Sequence, residues 1–359
     1  MTRVAVRIFH ADPGDGAGRL ELLLAGARRA LAERHAATFR AVGATDVAVV
    51  IGRPDDTPFG RRLRELLAAE RPAGLVVLGS GALPLATRAD LDAFVSVAGA
   101  PGRVALANNR YSADTTAVSC AESLLDLPDL PGDNALPRWL DEVAGYDVRD
   151  LAGRWRLAVD LDSPLDLLLT GVRGAVVPGP APDRISALNA VARDQRAEIV
   201  VAGRTSATTL RWLERRIPAR VRALVEERGL RASSRLASDD RPGAAAPRPP
   251  RSALGLLLDR DGPAALGAIL AQLGDAAVVD SRVLLAHRLG PDERSWPAAE
   301  DRFASDLLLP DRIRDPWLRR LTEAAASAPI PVLLGGHSLV GPGIRLALRA
   351  AGRRREAGA

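Results

Sequence analysis

The sequence predicts an α/β protein whose first half is a layered, mainly parallel sheet and whose second half is another α/β unit. Three observations carry this. Short apolar runs of strand composition alternate with amphipathic runs at helical spacing from residue 3 to about residue 170. Glycine-rich turns close several of the apolar runs. After about residue 175 the alternation restarts, interrupted by a polar, Pro- and Ala-rich stretch at 233–252 that reads as a long loop. The expected organisation is a first domain at 1–172, a second at 173–352 and a basic tail at 353–359.

The elements follow in order. Residues 3–9 (RVAVRIF) read as a strand, and the loop HADPGDGAGRL leads to a helix over 20–41. GATDVAVVIG gives a turn and a buried-type strand, FGRRLRELLAAER an amphipathic helix, and AGLVVLGSG a strand ending in glycines. RADLDAFVSVA is a helix with Thr87 placed to cap it. VALANN reads as a strand end, LPRWLDEVA as a helix with Pro137 near its start, and WRLAVDLD as a strand carrying an acidic pair. In the second half, DRISALNAVARDQ is a helix and AEIVVAGRTSATTLRWLERR is strand, glycine turn and helix. ARVRALVEERG is strand-like, GPAALGAILAQLG reads as a helix pair, and AAVVDSRVLLAH is a strand. IPVLLGGHSLVGPGIRLALRAA again reads strand, turn, helix.

Composition narrows the function. At 359 residues with 47% hydrophobic side chains, the chain can build two ordinary cores. Aromatics are only 3%, which weakens any reading that needs stacking platforms for single-stranded nucleic acid. The net charge is +5, and because no lysine occurs the positive charge is all arginine, interleaved with acids as in RRLRELLAAE. That pattern describes solvated helix faces, so nucleic acid is not the expected partner. The single Cys120 excludes an intramolecular disulfide and a cysteine zinc cluster, and four scattered histidines do not make a His-rich metal centre. The first residues lack a signal-peptide core and no apolar run reaches membrane-spanning length, so a cytoplasmic protein without a membrane partner is expected. The oligomeric state is not legible.

The stretch AVDLDSPLDLL concentrates the chemistry. In an extended segment residues i and i+2 point the same way, so Asp160 and Asp162 are expected to present two carboxylates at a strand end, where Mg²⁺ and phosphate oxygens could bind. Ser163 is a good N-cap and Pro164 suits the first helical position; by that reading the acids serve the helix start instead. The loops GDGAGR, GSGALPL, ANNRYS and DLDSP are expected to converge beyond the carboxyl ends of the strands. There Asp15, Gly16, Gly18 and Arg19, and Gly79, Ser80 and Gly81, could cradle phosphate, and Asn108 and Asn109 could read a base or ribose. Ordinary turn chemistry is the alternative for each.

Four of these pieces, in order over residues 1 to about 170, resemble the nucleotidyltransferases of the GT-A-like, nucleotide-diphospho-sugar transferase fold. The nearest branch is the small guanylyltransferases of molybdenum cofactor and deazaflavin coenzyme synthesis. VGATDVAVVIG (42–52) is similar to the family's strand, GSGALPLATRADLDAF (79–94) to its "GDxPL" motif, GDNALPRWL (132–140) to its "GD.G.r.lL" segment, and DLDSPLDL (160–167) to its closing "DiDTPeDl". The resemblance implies a nucleotide or sugar-nucleotide ligand, Mg²⁺ at Asp160 and Asp162, and catalytic parts for Arg19 and Asp160. It also shows departures. Ala82 stands where the family has a metal-binding aspartate, and no lysine follows the opening glycine loop.

In the second half, Gly203, Arg204, Thr205 and Ser206 follow one strand and Gly335, Gly336, His337 and Ser338 another. Both fit an anion at a helix N-terminus, or two plain βα turns. They match neither a P-loop nor a GxGxxG fingerprint, and no GxSxG elbow occurs. Two functions are therefore expected: Mg²⁺-dependent transfer of a nucleotidyl group from an NTP to a phosphorylated acceptor, or nucleotide binding or scaffolding by a chain that has lost catalysis.

Overall fold

A computed structural model describes residues 3–53, 55–172, 176–227 and 250–349. These group into two compact units. The first runs to Gly16 and again from Ala25 to Asp160; the second takes Ala17–Leu24 and the described residues from Leu161 onward. Most of the 233–252 stretch and all of the 353–359 tail lie outside the described residues.

The first unit is built on a six-stranded mixed sheet. Its strands are β1 (Val4–Ala11), β2 (Asp46–Gly52), β3 (Gly74–Gly79), β4 (Val104–Ala107), β5 (Thr115–Ser119) and β6 (Asp147–Asp150), in the order β2-β1-β3-β5-β4-β6. Every pairing is parallel except those of β5 with β3 and β4. The helices are α1 (Arg19–Ala41), α2 (Phe59–Glu70), α3 (Arg88–Ala98) and α4 (Leu136–Glu142). Period-two alternation divides the core. Val4, Val6, Ile8, Val76 and Leu78 pack with Phe39 and Phe94 in one cluster, and Ala5, Leu75, Val77 and Val118 with Leu63, Leu67 and Leu140 in the other. Phe39 and Phe94 are fully buried, each contributing about 1.5–3 kcal/mol. Thr87 caps α3 through a reciprocal box with Asp90, as its position predicts.

The second unit is a four-stranded parallel sheet, ordered β10-β9-β7-β8, of β7 (Glu198–Gly203), β8 (Arg220–Val225), β9 (Ala276–Asp280) and β10 (Val332–Gly335). Its helices are α5 (Pro164–Thr170), α6 (Ala181–Ala192), α7 (Ala207–Arg216), α8 (Ala253–Asp261), α9 (Leu266–Leu273), α10 (Ser281–Leu289), α11 (Ala299–Asp306), α12 (Pro316–Ala326) and α13 (Ile344–Ala347). The α/β class with a mostly parallel first sheet and a second α/β unit is what the alternation predicts.

Two expected strands differ. AAVVDSRVLLAH stays extended only to Asp280; the Asp280 side chain then accepts from the Arg282 N–H and starts α10. WRLAVDLD is not a strand: Trp155–Ala158 is a 3₁₀ turn, and Asp160 makes a single antiparallel bridge with Ala82. Its apolar residues are buried without strand pairing: Leu157 joins the Phe39–Phe94 cluster, and Val159 is 1% exposed.

Candidate functional site

In the first sheet the chain leaves β1 to one side for β2 and returns on its other side as β3, so the carboxyl ends of β1 and β3 form a switch point, where such sheets bind ligands. A crevice of about 280 Å³ opens there, lined by Phe9 and His10 from β1, Gly52 from β2 and Arg53 after it, Gly79 from β3, and Arg62, Asp114, Thr115 and Asp133. Because β5 runs antiparallel, its first residue, Thr115, stands opposite Leu78 at this same edge. Phe9 and Phe59 meet edge to face with centroids 6.3 Å apart. Thr115 is 1% exposed, and its hydroxyl has no hydrogen-bond partner among the described residues. Burying a hydroxyl without a partner costs about 1–3 kcal/mol, so this atom calls for a ligand or a water.

The structure distributes the expected loop residues unevenly. Ser80 is buried, its Oγ 3.0 Å from His10 Nδ1, and its N–H donates to Phe9. Gly79 lines the crevice, and the turn through Gly81 brings Ala82 to its bridge with Asp160. His35, buried beneath this turn, donates from Nε2 to the Ala82 carbonyl at 3.1 Å. Burial pushes its pKa down to about 4, so it is neutral. Asn108 is committed to the fold. Its Nδ2 donates to Asp114 and to the Leu157 carbonyl, and its Oδ1 accepts from the N–H groups of Asp114 and Thr115. Asn109 accepts from Tyr111 N–H in an Asx turn. The motif ATRADLDAF is explained by Asp90, 0% exposed, which receives Arg154, Arg156 and Thr87. Burial raises its pKa, but the Arg156 and Thr87 hydrogen bonds outweigh that and hold the carboxyl well below the usual range.

In the opening loop, Asp15 pairs at 3.6 Å with Arg53 on the surface, and Gly16 is open. Gly18 and Arg19 group with the second unit, where Glu300 Oε2 accepts from the backbone N–H groups of Leu20 (2.9 Å) and Glu21 (3.2 Å). An internal carboxylate thus sits on the α1 N-terminus, where phosphate was expected. Arg19 is exposed.

The second sheet also has a switch point, between β7 and β9, and buried charges gather at its carboxyl edge. Arg204 donates from Nε (2.6 Å) and Nη2 (3.2 Å) to Asp280. Arg282 grips Asp306 with both terminal nitrogens and donates to Ser281 Oγ. Burial disfavours the Arg282 charge, but Asp306 and Asp280 overcome it and hold the guanidinium protonated. Gly203 is required: its φ is +127° and a Cβ there would lie 2.2 Å from Asp280 Cβ. His337 Nδ1 lies 2.9 Å from the Arg204 carbonyl, and Gly336 has Arg282 Nε 3.9 Å from an added Cβ. Gly335 accepts from Ser281 Oγ, and Ser338, three residues further on, is buried. Ser206 caps α7, and Thr205 Oγ1 is buried without a partner among the described residues. The guanidinium expected to meet an external anion already holds Asp280. Asp162, exposed, and Ser163 donate their N–H groups to Asp166 Oδ2 at 2.9 and 2.7 Å. Burial, then the Asp162 charge, pushes the Asp166 pKa up to about 7.

Sequence reasoning did not single out His10, Thr115, Glu300, Asp280, Arg282 or Asp306. A histidine closing the first strand is a visible signal; Glu300, far along the chain, gives none.

No family model and no curated protein matches the chain. Among solved structures it is similar over part of its length to Rv0371c from Mycobacterium tuberculosis H37Rv, at 21% identity over 42% of this chain and 87% of that one, with a TM-score of 0.26. The Rv0371c homologue from mycobacterium sp. strain JC1 gives 19% identity over 41% and 84%, also with a TM-score of 0.26. A manganese complex of Rv0371c from Mycobacterium tuberculosis H37Rv gives 21%, 42%, 87% and 0.26. Among the described residues no helix is long and apolar enough to cross a membrane.

Proposed function

We propose that the protein binds a nucleotide or sugar nucleotide in the crevice of its first unit, on a nucleotidyltransferase-like frame that no longer carries out metal-dependent transfer. The supporting observation is Thr115, a residue of the crevice wall whose buried hydroxyl has no partner among the described residues. Arg53, paired with Asp15, and Arg62, paired with Asp55, stand at the crevice beside Asp114 and Asp133, and the Phe9–Phe59 pair supplies an apolar wall.

The residues fit Mg²⁺ poorly. Ala82 stands where the resemblance requires a carboxylate, and no group of three or more His, Cys, Asp or Glu side chains among the described residues is arranged to hold a metal. We therefore derive no step through a metal. The Ala82–Asp160 bridge is the observation that favours the second reading, an active nucleotidyltransferase, because it joins two segments that the resemblance places at one catalytic centre.

A nucleotide and sugar-nucleotide panel, with and without Mg²⁺, separates the two. Binding raises the stability of the folded state by about 2.7 kcal/mol at a hundredfold excess over Kd. The expected result is stabilisation by at least one member, reduced by Thr115→Val, without pyrophosphate release. Mg²⁺-dependent pyrophosphate release lost in Asp160→Ala establishes the second reading; no shift with any member overturns the first.

A further inference from the structure

We propose that Thr116 is the ligand-reading residue of the first unit's crevice, its hydroxyl hydrogen-bonding the uncharged base or ribose of a nucleoside while the phosphates are left unread. This rests on the crevice being a nucleotide seat and says which part of the nucleotide it holds. In β5, Thr116 stands opposite Val77 of β3. Val77 and Val118 belong to the Leu63–Leu67 cluster, against which Phe9 and Phe59 pack. Alternation therefore puts the Thr116 side chain on the Phe9 face of the sheet, the face that walls the crevice.

Thr116 is 2% exposed and lines the crevice, and no group among the described residues hydrogen-bonds its hydroxyl. The oxygen is not sealed away, so it meets whatever fills that space. A hydroxyl has one proton to give and lone pairs to accept with, so it can pair with a base carbonyl, a base amino group or a ribose hydroxyl.

The charges around it are matched. Arg53 lies 3.6 Å from Asp15 and Arg62 2.5 Å from Asp55, and Asp114 and Asp133 line the same space. A polyphosphate would meet two guanidiniums that already hold acids and two further acids that repel it. Carboxylates only accept hydrogen bonds, which suits the O–H and N–H groups of ribose and base. The Phe9–Phe59 pair gives a ring its apolar wall. At about 280 Å³ the space is at the small end of ligand pockets, which run from about 300 to 1,000 Å³. That suits a nucleoside better than a whole sugar nucleotide.

The test is calorimetric titration of the full chain with adenosine, guanosine, cytidine and uridine and with their mono-, di- and triphosphates, at low and high salt. For the base that binds best, nucleoside and triphosphate should bind within roughly threefold of each other at either salt. Thr116→Val keeps the shape and the strand preference and removes the hydroxyl. Without ligand it should melt no lower than the parent, and it should bind about tenfold more weakly. Thr116→Ser, which keeps the hydroxyl, should stay within roughly threefold of the parent. A threonine that served only the fold would show the reverse, a lower melting temperature with unchanged affinity. Thr116→Val binding as the parent does, or an affinity that climbs about tenfold or more from nucleoside to triphosphate and falls with salt, overturns this inference and leaves the crevice as a nucleotide seat. No binding by any of these compounds removes that reading, and this inference with it.

Discussion

Glu300 stands where a side chain on Gly18 would have to go: an added Cβ at position 18 lies 2.2 Å from Glu300 Oε2. The same oxygen holds the N–H groups of Leu20 and Glu21, and Gly18 N–H donates to Glu21 Oε2 at 2.8 Å. Gly18→Ala should therefore push Glu300 off the helix end and lower stability by about 1–2 kcal/mol, the worth of two lost hydrogen bonds. Glu300→Gln keeps an acceptor oxygen and loses the charge, costing about 0.5–1 kcal/mol. Urea denaturation measures both; a Gly18→Ala protein as stable as the parent removes this account of the glycine.

Arg282 and Asp306 make the second test. Both are buried, and breaking such a pair from one side leaves an uncompensated charge, at about 3–5 kcal/mol. Arg282→Met should show this loss. Arg282→Met combined with Asp306→Leu should recover most of it, because removing both charges ends the desolvation penalty. Equal losses in the single and double variants would contradict the pairing.

Asp90 offers a milder case. Its carboxyl is inaccessible while Arg154 and Arg156 reach solvent, so Asp90→Asn should cost about 2–3 kcal/mol, less than a fully buried pair. Its lowered pKa means that this stabilisation is present above the unfolded carboxylate range and fades as pH falls below it. Thermal melts of parent and variant should converge in strong acid.

Acid should act in opposite directions on the two units. His35 has a folded pKa of about 4 against 6.5, so the folded first unit binds fewer protons between those values. Its contribution is complete above pH 6.5 and is lost toward pH 4, amounting to about 3 kcal/mol. Asp166 has a folded pKa of about 7 against 3.8, so its contribution is complete below 3.8 and is lost as pH rises to 7. Single-tryptophan variants keeping Trp139 in the first unit or Trp317 in the second follow each one. The first midpoint should fall and the second rise on acidification. His35→Gln and Asp166→Asn should flatten the respective slopes.

The strands β1 to β3 and the helices between them are legible because each apolar run is bounded by glycine or a capping residue. β5 is not: TTAVS is five residues with two threonines, and pairing with β3 and β4 on either side makes it a strand. That omission hid Thr115, which reaches the crevice because β5 runs backwards. Residues 155–162 have strand composition, but strand formation depends on a neighbour, and Asp160 finds a single bridge partner in Ala82. The glycine loop at 14–18 carries the marks of a phosphate cradle, and nothing near it in sequence discloses that a glutamate from α11 fills the helix end. Arg204 likewise looks free for an anion until β9 brings Asp280 beside it.

The buried cations of both units, Arg7 between Asp46 and Glu70 in the first and Arg282 on Asp306 in the second, are guanidiniums in a chain without lysine. This sets the protein's behaviour toward reagents. Amine-directed acylation and cross-linking find no side chain to attack, so such chemistry leaves every ion pair of the framework in place. Dicarbonyl reagents, which close on guanidinium, should instead label exposed arginines such as Arg19 and Arg53 first, and Arg7 and Arg282 only after their unit opens.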